Sequence, residues 1–263
     1  MSIASATLTI WATAWLYGRA AADDVLDALT AIADRHDVVA ADEQTAADAD
    51  LPVLGTTPAP PARLLAALRA RGADAGALAL PAPGDPRGLG GRGSVVGAAL
   101  AAGEASVFAT AGLAVVPDVP ADDLMRWTVY PHSGEGNDHV TIGEAERGLT
   151  EAVRAATTLL TELDVARERP DATDAVRSRL RKAPSPRWPG GMSGRALHVM
   201  RRADEVEAIL ELAAADEPGG AVSASAAERR AEALRPLDAA VRQARRAAVL
   251  EAVRGFTRPV TQP

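Results

Sequence analysis

The sequence has no cysteine among its 263 residues. This absence excludes disulfide bonds, thiol catalysis and metal sites built on thiolates, and it favours a reducing, cytoplasmic environment. Aromatic residues are also few, with four Trp, two Tyr and two Phe. Lysine occurs once, at Lys182, which leaves 27 arginines among the 28 basic residues. This bias is typical of GC-rich coding, so the arginine content by itself does not indicate a function.

The sequence contains no apolar run that approaches the roughly 18 residues of a membrane span. The first 18 residues carry no charged side chain, but the first base, Arg19, follows the apolar residues instead of preceding them. A secretory signal has the opposite order. We therefore expect this segment to be the first structural element of a cytoplasmic protein that has no membrane association.

Alanine is the residue that the chain has in excess, at 60 positions. Many of these alanines share a four-three spacing with larger apolar residues, which is typical of helices that pack closely along a seam. Two such seams are Val199, Ala203, Val206, Leu210 and Ala213, and Leu234, Leu237, Val241, Ala244 and Ala248. They predict that the chain ends in a long antiparallel helix hairpin.

The rest of the pattern predicts an α+β fold. Helices are expected up to Gly18 and over residues 22–34, 62–71, 95–102, 141–163 and 172–182. Strands are expected at 77–80, 104–110, 113–116 and 125–130. Residues 38–61 are acidic, then rich in Pro, Gly and Thr, and are interpreted as a loop with one short strand at Leu51–Leu54. We expect a small mixed sheet with covering helices over 1–140 and a helical part over 141–263.

A glycine-rich stretch precedes the predicted helix at 95–102. Gly88, Gly90 and Gly93 match the spacing of the dinucleotide-binding fingerprint, but Gly88 lies eight positions after the predicted strand end at Leu80, and no P-loop lysine follows. A generic anion or phosphate site is therefore the functional interpretation, and a structural loop is the alternative. The candidate residues are Arg87, Gly88, Gly90, Arg92, Gly93 and Ser94.

A second cluster has the residue types of a metal site or of an acid–base pair. Its candidate residues are His132, Glu135, Asp138 and His139. Their spacing matches no named ligand pattern, and a polar loop before a helix has a similar composition. Both interpretations stay open, and the sequence identifies no cofactor.

Charge is distributed unevenly along the chain. Residues 1–60 hold nine acids and two bases, whereas residues 175–203 hold eight bases and no acid. Such a basic segment, with one aromatic side chain inside it, is able to contact a nucleic acid. The candidate contacts are Arg179, Arg181, Lys182, Arg187 and Trp188. The net charge of −7 favours the alternative that these bases pair with the acidic N-terminal segment.

Three stretches carry a resemblance to known proteins: LPAPGDPRGL, AAGEASV and DEPGGAVSASAAERRAEALRPLDAA. They resemble segments of uncharacterised proteins from high-GC Gram-positive bacteria, of the actinobacterial type. The resemblance covers the middle and the C-terminal third of the chain. It implies no activity, cofactor or site residue.

These observations predict a cytoplasmic interaction or adaptor protein that binds a protein partner or associates with itself. The first alternative is a phosphate- or nucleotide-binding enzyme that uses the Gly84–Ser94 loop. The second alternative is nucleic-acid binding through residues 177–202.

Overall fold

The computed structural model describes residues 4–90, 93–134, 140–162, 172–182, 186–215 and 224–258. Within these ranges the fold is α+β, as predicted, with strands in the N-terminal half and helices in the C-terminal half. The chain divides into two compact units. The sheet unit comprises Ser2–His139, Ser185–Ser193 and Val249–Pro263, and the helical unit comprises Val140–Pro184 and Gly194–Ala248.

The sheet unit is built on one mixed five-stranded sheet. Its strands are β1 (Arg35–Ala40), β2 (Ala77–Ala79), β3 (Ala105–Phe108), β4 (Leu113–Ala121) and β5 (Leu124–Pro131). They lie in the order β1-β5-β4-β3-β2, with β1 parallel to β5 and the other neighbours antiparallel. A parallel pair needs a long connection, which the chain between β1 and β5 supplies.

Helices cover both faces of the sheet. They are α1 (Ala4–Leu16), α2 (Ala22–Thr30), α3 (Glu43–Ala49), α4 (Pro61–Ala70) and α5 (Ser94–Ala102). Helices α1 to α4 share a core with Val115 of β4. On the other face, Val95 and Ala99 of α5 pack with Ala114 of the same strand. Since neighbouring residues of a strand point to opposite faces, Val115 and Ala114 mark the two sides.

Helix α1 is buried on all sides. Residues 4–15 are all buried, Thr9 and Thr13 among them. Thr9 Oγ1 donates to Ser106 Oγ over 3.0 Å. Thr13 Oγ1 donates to the carbonyl of Thr9 over 2.7 Å and accepts from the amide of Gly76 over 3.0 Å. These hydrogen bonds offset the cost of burying polar side chains.

The start of α1 meets a buried carboxylate. The amide of Ser5 donates to Glu104 Oε2 over 2.7 Å, and Glu104 is only 8% exposed. A negative charge at a helix N-terminus is favoured by the helix dipole and by the free amides of the first turn. Glu104 immediately precedes β3, so this contact fixes the first helix to the sheet.

Two elements lie where the sequence predicted a loop. The predicted loop spans residues 38–61. Strand β1 begins three residues before it, at Arg35, and α3 lies within it. Asp42, which reads as a loop residue, is the N-cap of α3, where its carboxylate accepts from the amide of Thr45 over 2.7 Å. That hydrogen bond lowers the pKa of Asp42. In place of the strand predicted at 51–54, a single bridge joins Val53 to Ala40.

The helical unit contains α6 (Ile142–Glu162), α7 (Ala172–Lys182), α8 (Gly194–Ala215) and most of α9 (Ala224–Thr257). Thr141 and Glu144 form a capping box at the start of α6. Thr141 N donates to Glu144 Oε2 over 3.0 Å, and Glu144 N donates to Thr141 Oγ1 over 3.3 Å. Among the described helices, none combines the length and apolar content needed to cross a bilayer.

Helices α8 and α9 pair, as the hairpin prediction required. Arg245 of α9 bonds Asp204 and Glu207 of α8, with distances of 3.2 Å from Nε to Asp204 Oδ1 and 2.6 Å from Nη1 to Glu207 Oε1. Three of the alanines in the two predicted seams are buried: Ala203, Ala244 and Ala248. The side chain of Ala213 lies outside the described residues.

Candidate functional site

The glycine-rich loop before α5 has a backbone that glycine makes possible. Its glycines have φ angles in the left-handed region: Gly84 (80°), Gly88 (90°), Gly90 (53°) and Gly93 (147°). The fully buried Leu89 anchors the loop in the core beneath α5. Arg87 is bound to Asp85 within the same loop, from Nε to Oδ1 over 2.6 Å and from Nη2 to Oδ2 over 2.9 Å. This guanidinium is therefore already neutralised by a carboxylate.

His132 lies directly after β5. Its amide donates to the carbonyl of Gly112 over 2.9 Å, which extends the pairing of β4 and β5 by one step. The residue is only 7% exposed, and its Nε2 is buried with no hydrogen-bond partner among the described residues. Burial lowers the pKa of His132, and the backbone of Gly134 opposes this only in part. The imidazole is therefore neutral near pH 7.

The structure brings these two loops together. A Cβ atom placed on Gly134 would lie 1.1 Å from the carbonyl oxygen of Gly90. A side chain at position 134 would overlap the Gly90 carbonyl group. The backbones of the two loops are therefore in direct contact at Gly90 and Gly134. Hence the glycine-rich loop is in contact with the chain just after His132.

The glycine-rich loop and the His132 cluster have four further candidate residues. Arg92, Glu135, Asp138 and His139 lie outside the described residues. Within the described ranges, no group of three or more His, Asp or Glu side chains is placed to hold a metal ion. His132 alone supplies too few ligands for zinc, which in proteins usually has four.

Half of the eight bases in the basic segment, residues 175–203, form ion pairs. Four of its arginines contact acids: Arg177 with Asp174 (2.6 Å), Arg179 with Glu211, Arg195 with Glu146 (2.8 Å) and Arg202 with Glu205 (3.4 Å). We expected partners in the acidic N-terminal segment, but these acids all belong to the helical unit. Arg181 and Arg187 are exposed and Trp188 is half-buried. The side chain of Lys182 lies outside the described residues.

Sequence reasoning missed an apolar groove in the sheet unit, which we call the Trp15 groove. It has a volume of about 390 Å³ and lies between α1, α2 and α4. Its lining consists of Trp15, Ala22, Leu26, Ala62, Leu65, Ala66, Arg69 and Ala70. The sequence predicts the helix at 62–71, but no local signal places it beside Trp15.

Arg69 is the one charged side chain of this lining. Its guanidinium carbon lies 3.7 Å from the centroid of the Trp15 ring, a cation–π contact. In the part of the chain that the structure describes, no carboxylate forms an ion pair with Arg69. Elsewhere in the sheet unit, the arginines Arg63 and Arg126 each pair with an aspartate.

Comparison with known proteins places the chain in a family. Residues 5–141 match the model of the Rv1486c-like protein, N-terminal domain, and residues 143–246 match that of the C-terminal domain. Uncharacterized protein Rv1486c of Mycobacterium tuberculosis (strain H37Rv) is 36% identical over 278 residues, which cover 93% of this chain and 95% of the relative. Uncharacterized protein ML1804 of Mycobacterium leprae is 32% identical, with the same coverage of both chains.

Uncharacterized protein MAV321 of Mycobacterium avium is 31% identical, again over 93% of this chain and 95% of the relative. No solved structure matches the chain. These relatives confirm the actinobacterial resemblance, and none of their names states an activity. The chain belongs to the Rv1486c-like family.

Proposed function

We propose that this protein is a cytoplasmic interaction protein that binds a partner protein through the Trp15 groove. The occupant is a short amphipathic helix of the partner, with apolar side chains on one face and a carboxylate at its edge. Arg69, held over Trp15 without a carboxylate partner in the described chain, is the observation that carries this proposal.

The lining of the groove supports a helix as the occupant. Four of its eight residues are alanines, and Ala62, Ala66 and Ala70 are spaced four apart along α4. This spacing puts them on one side of α4, where they leave room for another helix to approach closely. An amphipathic helix binds such a groove with anchors at i, i+3 or i+4 and i+7. Leu26, Leu65 and the Trp15 ring provide the apolar surface for those anchors.

The charge at the groove supports an acidic partner. Arg69 is held in place by its contact with the Trp15 ring. Pairing with a carboxylate therefore costs less side-chain entropy than it would for a freely rotating arginine. The pair would form beside an apolar surface that the bound helix shields from water, which strengthens it relative to an exposed pair. A basic helix would place like charges together at this point.

The two alternatives have less support. Four arginines of the basic segment are paired with acids, which reduces the positive charge available to a phosphate backbone. Arg87 of the glycine-rich loop is paired as well. The absence of cysteine is consistent with the reducing conditions of the cytoplasm.

A site-specific crosslinking experiment in the protein's own host tests the proposal. A photoreactive amino acid replaces Ala66 inside the groove, and a matched control carries it at Asp122 in the exposed β4–β5 turn. We expect one heterologous adduct from position 66 and none from position 122. Mass spectrometry of that adduct should map the crosslink to an amphipathic, acidic helix of the partner.

Two variants complete the test. Arg69→Glu should reduce the adduct at least tenfold, whereas Arg69→Lys, which keeps the positive charge, should retain most of it. An adduct that is equal in the Arg69→Glu protein contradicts the proposal. So does an adduct between two copies of this chain, or the lack of any adduct at position 66.

A further inference from the structure

The second wall of the Trp15 groove carries charge of the opposite sign to Arg69. This wall is α2, which lines the groove with Ala22 and Leu26. Asp23 and Asp27 each follow one of these residues along α2, and both are exposed. Arg69 belongs to α4, on the other wall. The two walls therefore differ in charge, which is positive on α4 and negative on α2.

Helix geometry places the two carboxylates at the rim of the groove. Residues four apart lie in one row along a helix, and the next residue is turned by about 100° around the axis. Ala22 and Leu26 form such a row, which lines the groove. Asp23 and Asp27 form the adjacent row, on the side that faces away from the fully buried Val25. A molecule that fills the groove therefore passes beside this acidic row.

Asp27 is not explained by the stability of its own helix. Helix α2 ends at Thr30, and the amide of its C-cap, Ala31, donates to the carbonyl of Asp27 over 3.1 Å. The Asp27 carboxylate thus belongs to the last turn, where the negative end of the helix dipole disfavours it. Asp24, by contrast, accepts from the amide of Ala21 over 2.8 Å at the helix start. Local helix stability accounts for Asp24 and does not account for Asp27.

Asp23 and Asp27 form no ion pair within the described part of the chain. Asp50, which is also exposed, is held by Arg63 of α4. A partner that covers the groove brings its own side chains close to the free carboxylates of α2. A lysine or arginine at that edge would pair with them while the bound helix shields one side of the pair from water.

We propose that the Trp15 groove selects a helix with a basic edge as well as an acidic one, and that these charges fix the direction in which the helix lies. The acidic edge meets Arg69 on α4. A lysine or arginine on the opposite edge meets Asp27 on α2, with Asp23 as a second acceptor. The inference rests on the proposed partner binding and adds the partner's second charge and its direction.

The direction follows from the difference between the two walls. A helix with its apolar face in the groove has two possible directions, and turning it end for end exchanges its two edges. In the reversed direction, the acidic edge would face Asp27 and the basic edge would face Arg69. Apposition of like charges across an interface suppresses the wrong arrangement. Apolar anchors spaced three or four apart read nearly alike in both directions, so the charges of the walls decide between them.

Crosslinking from the two ends of the α4 wall measures this direction. A photoreactive amino acid replaces Ala62 in one protein and Ala70 in another, two lining positions about 12 Å apart along α4. We expect both adducts to contain the same partner helix, with the crosslinks about two turns apart and in one fixed order along its sequence. A mixture of both orders would refute the fixed direction, although a crosslink from position 66 would still support partner binding.

Asp27→Arg tests the second charge. The substitution suits the last turn of α2, where the helix dipole favours a cation, so the fold should be retained. It should weaken crosslinking from position 66 about threefold, which is the contribution of one partly shielded ion pair. Asp122→Arg, which makes the same change of charge in the exposed β4–β5 turn, should leave the adduct unchanged. Equal adducts in these two variants would contradict the proposal.

The double variant Arg69→Glu, Asp27→Arg exchanges the charges of the two walls at constant net charge. We expect the order of the crosslinks from positions 62 and 70 to be reversed in this protein. An unchanged order would show that the apolar anchors set the direction, and the proposal would be wrong. If no partner helix is crosslinked even without these substitutions, the proposed function fails, and this inference fails with it.

Discussion

Trp127 Nε1 donates a hydrogen bond to His36 Nδ1 over 3.0 Å, and the two ring planes are inclined by only 18°, with their centroids 6.1 Å apart. The other ring nitrogen, His36 Nε2, lies 2.9 Å from the carbonyl oxygen of Leu29. A carbonyl only accepts, so Nε2 carries the proton and Nδ1 is the acceptor for Trp127. Both bonds together require the neutral imidazole. If Nδ1 were protonated, its N–H would point at the N–H of Trp127 and neither could accept a hydrogen bond.

Stability should therefore fall with pH on the acid side of neutrality. Burial lowers the pKa of His36 in the folded protein, although the carbonyl of Leu29 opposes the effect. The unfolded chain then binds the proton first, so folding loses free energy as the pH falls below the ordinary histidine value of about 6.5. Urea unfolding at pH 7.5 and pH 5.5, followed by tryptophan fluorescence, measures this loss.

A His36→Gln variant is the control for this pH effect. The substitution removes the titrating group, so the difference in unfolding free energy between the two pH values should shrink. His132, whose pKa burial also lowers, should account for the remainder. An unchanged pH dependence in His36→Gln would exclude His36 as a source.

Gly134→Ala should destabilise the sheet unit. The new methyl group would lie 1.1 Å from the Gly90 carbonyl oxygen, so the two loops would have to separate. Overpacking of this kind costs about 1 to 3 kcal/mol. The control is Gly97→Ala within α5, which has no atom within 4 Å of its new methyl group. That variant should gain roughly 0.5 to 1 kcal/mol from helix propensity. Thermal unfolding of the two proteins should shift in opposite directions.

Arg245→Met should strongly destabilise the helical unit. Arg245 is only 6% exposed, and it bonds both Asp204 and Glu207. Removal of one partner from a buried ion cluster leaves the others uncompensated and costs about 3 to 5 kcal/mol. Arg202→Met, which breaks the exposed pair with Glu205, should cost less than about 1 kcal/mol. Urea unfolding followed by circular dichroism compares the two variants.

A second change tests whether the uncompensated charge is the cause. The triple variant Arg245→Met, Asp204→Asn, Glu207→Gln removes both acids together with the arginine. It should recover a large part of the lost stability, because no ionised group is then left without its partner. If the triple variant is as unstable as Arg245→Met alone, the loss comes from packing.

Phe256→Ala should destabilise the sheet unit rather than the helical unit. The last turns of α9 belong to the sheet unit, and Phe256 is only 2% exposed there. Truncation of a buried phenylalanine costs about 3 to 5 kcal/mol. Hydrogen exchange should show faster exchange of the amides of β4 and β5, with little change in α6 and α7. Phe256→Leu, which retains most of the apolar volume, should have a much smaller effect.

Local signals in the sequence predicted many elements of this fold. Pro61 at the first position of α4 and the Thr141–Glu144 capping box each marked a helix start, and both starts are found. The acidic composition of residues 38–61 misled the interpretation, because acidic residues are common in loops. In the structure Val38 and Val39 lie in β1, whose partner β5 is far along the chain, and Asp42 is a helix cap. A strand held by so distant a partner has no local signature.

In the candidate sites, too, local signals were readable from the sequence and long-range contacts were not. The sequence identified the glycine-rich loop and His132 separately, from residue types and spacing. Their meeting at Gly90 and Gly134 depends on the tertiary fold, since these residues are 44 positions apart in the sequence. The Trp15 groove is formed by three helices. The contact of Arg69 with Trp15 joins two of them and has no local signal in the sequence. Contacts between distant segments carry the functional information here.

The continuity of α9 has a consequence for how the protein is made. Translation produces residues 4–134 of the sheet unit first, but the last turns of α9, with Val253 and Phe256, emerge after the whole helical unit. The sheet unit therefore lacks two of its buried apolar side chains until the end of α9 has been synthesised. Its folding is completed only when synthesis has passed residue 257 and the exit tunnel has released the end of α9.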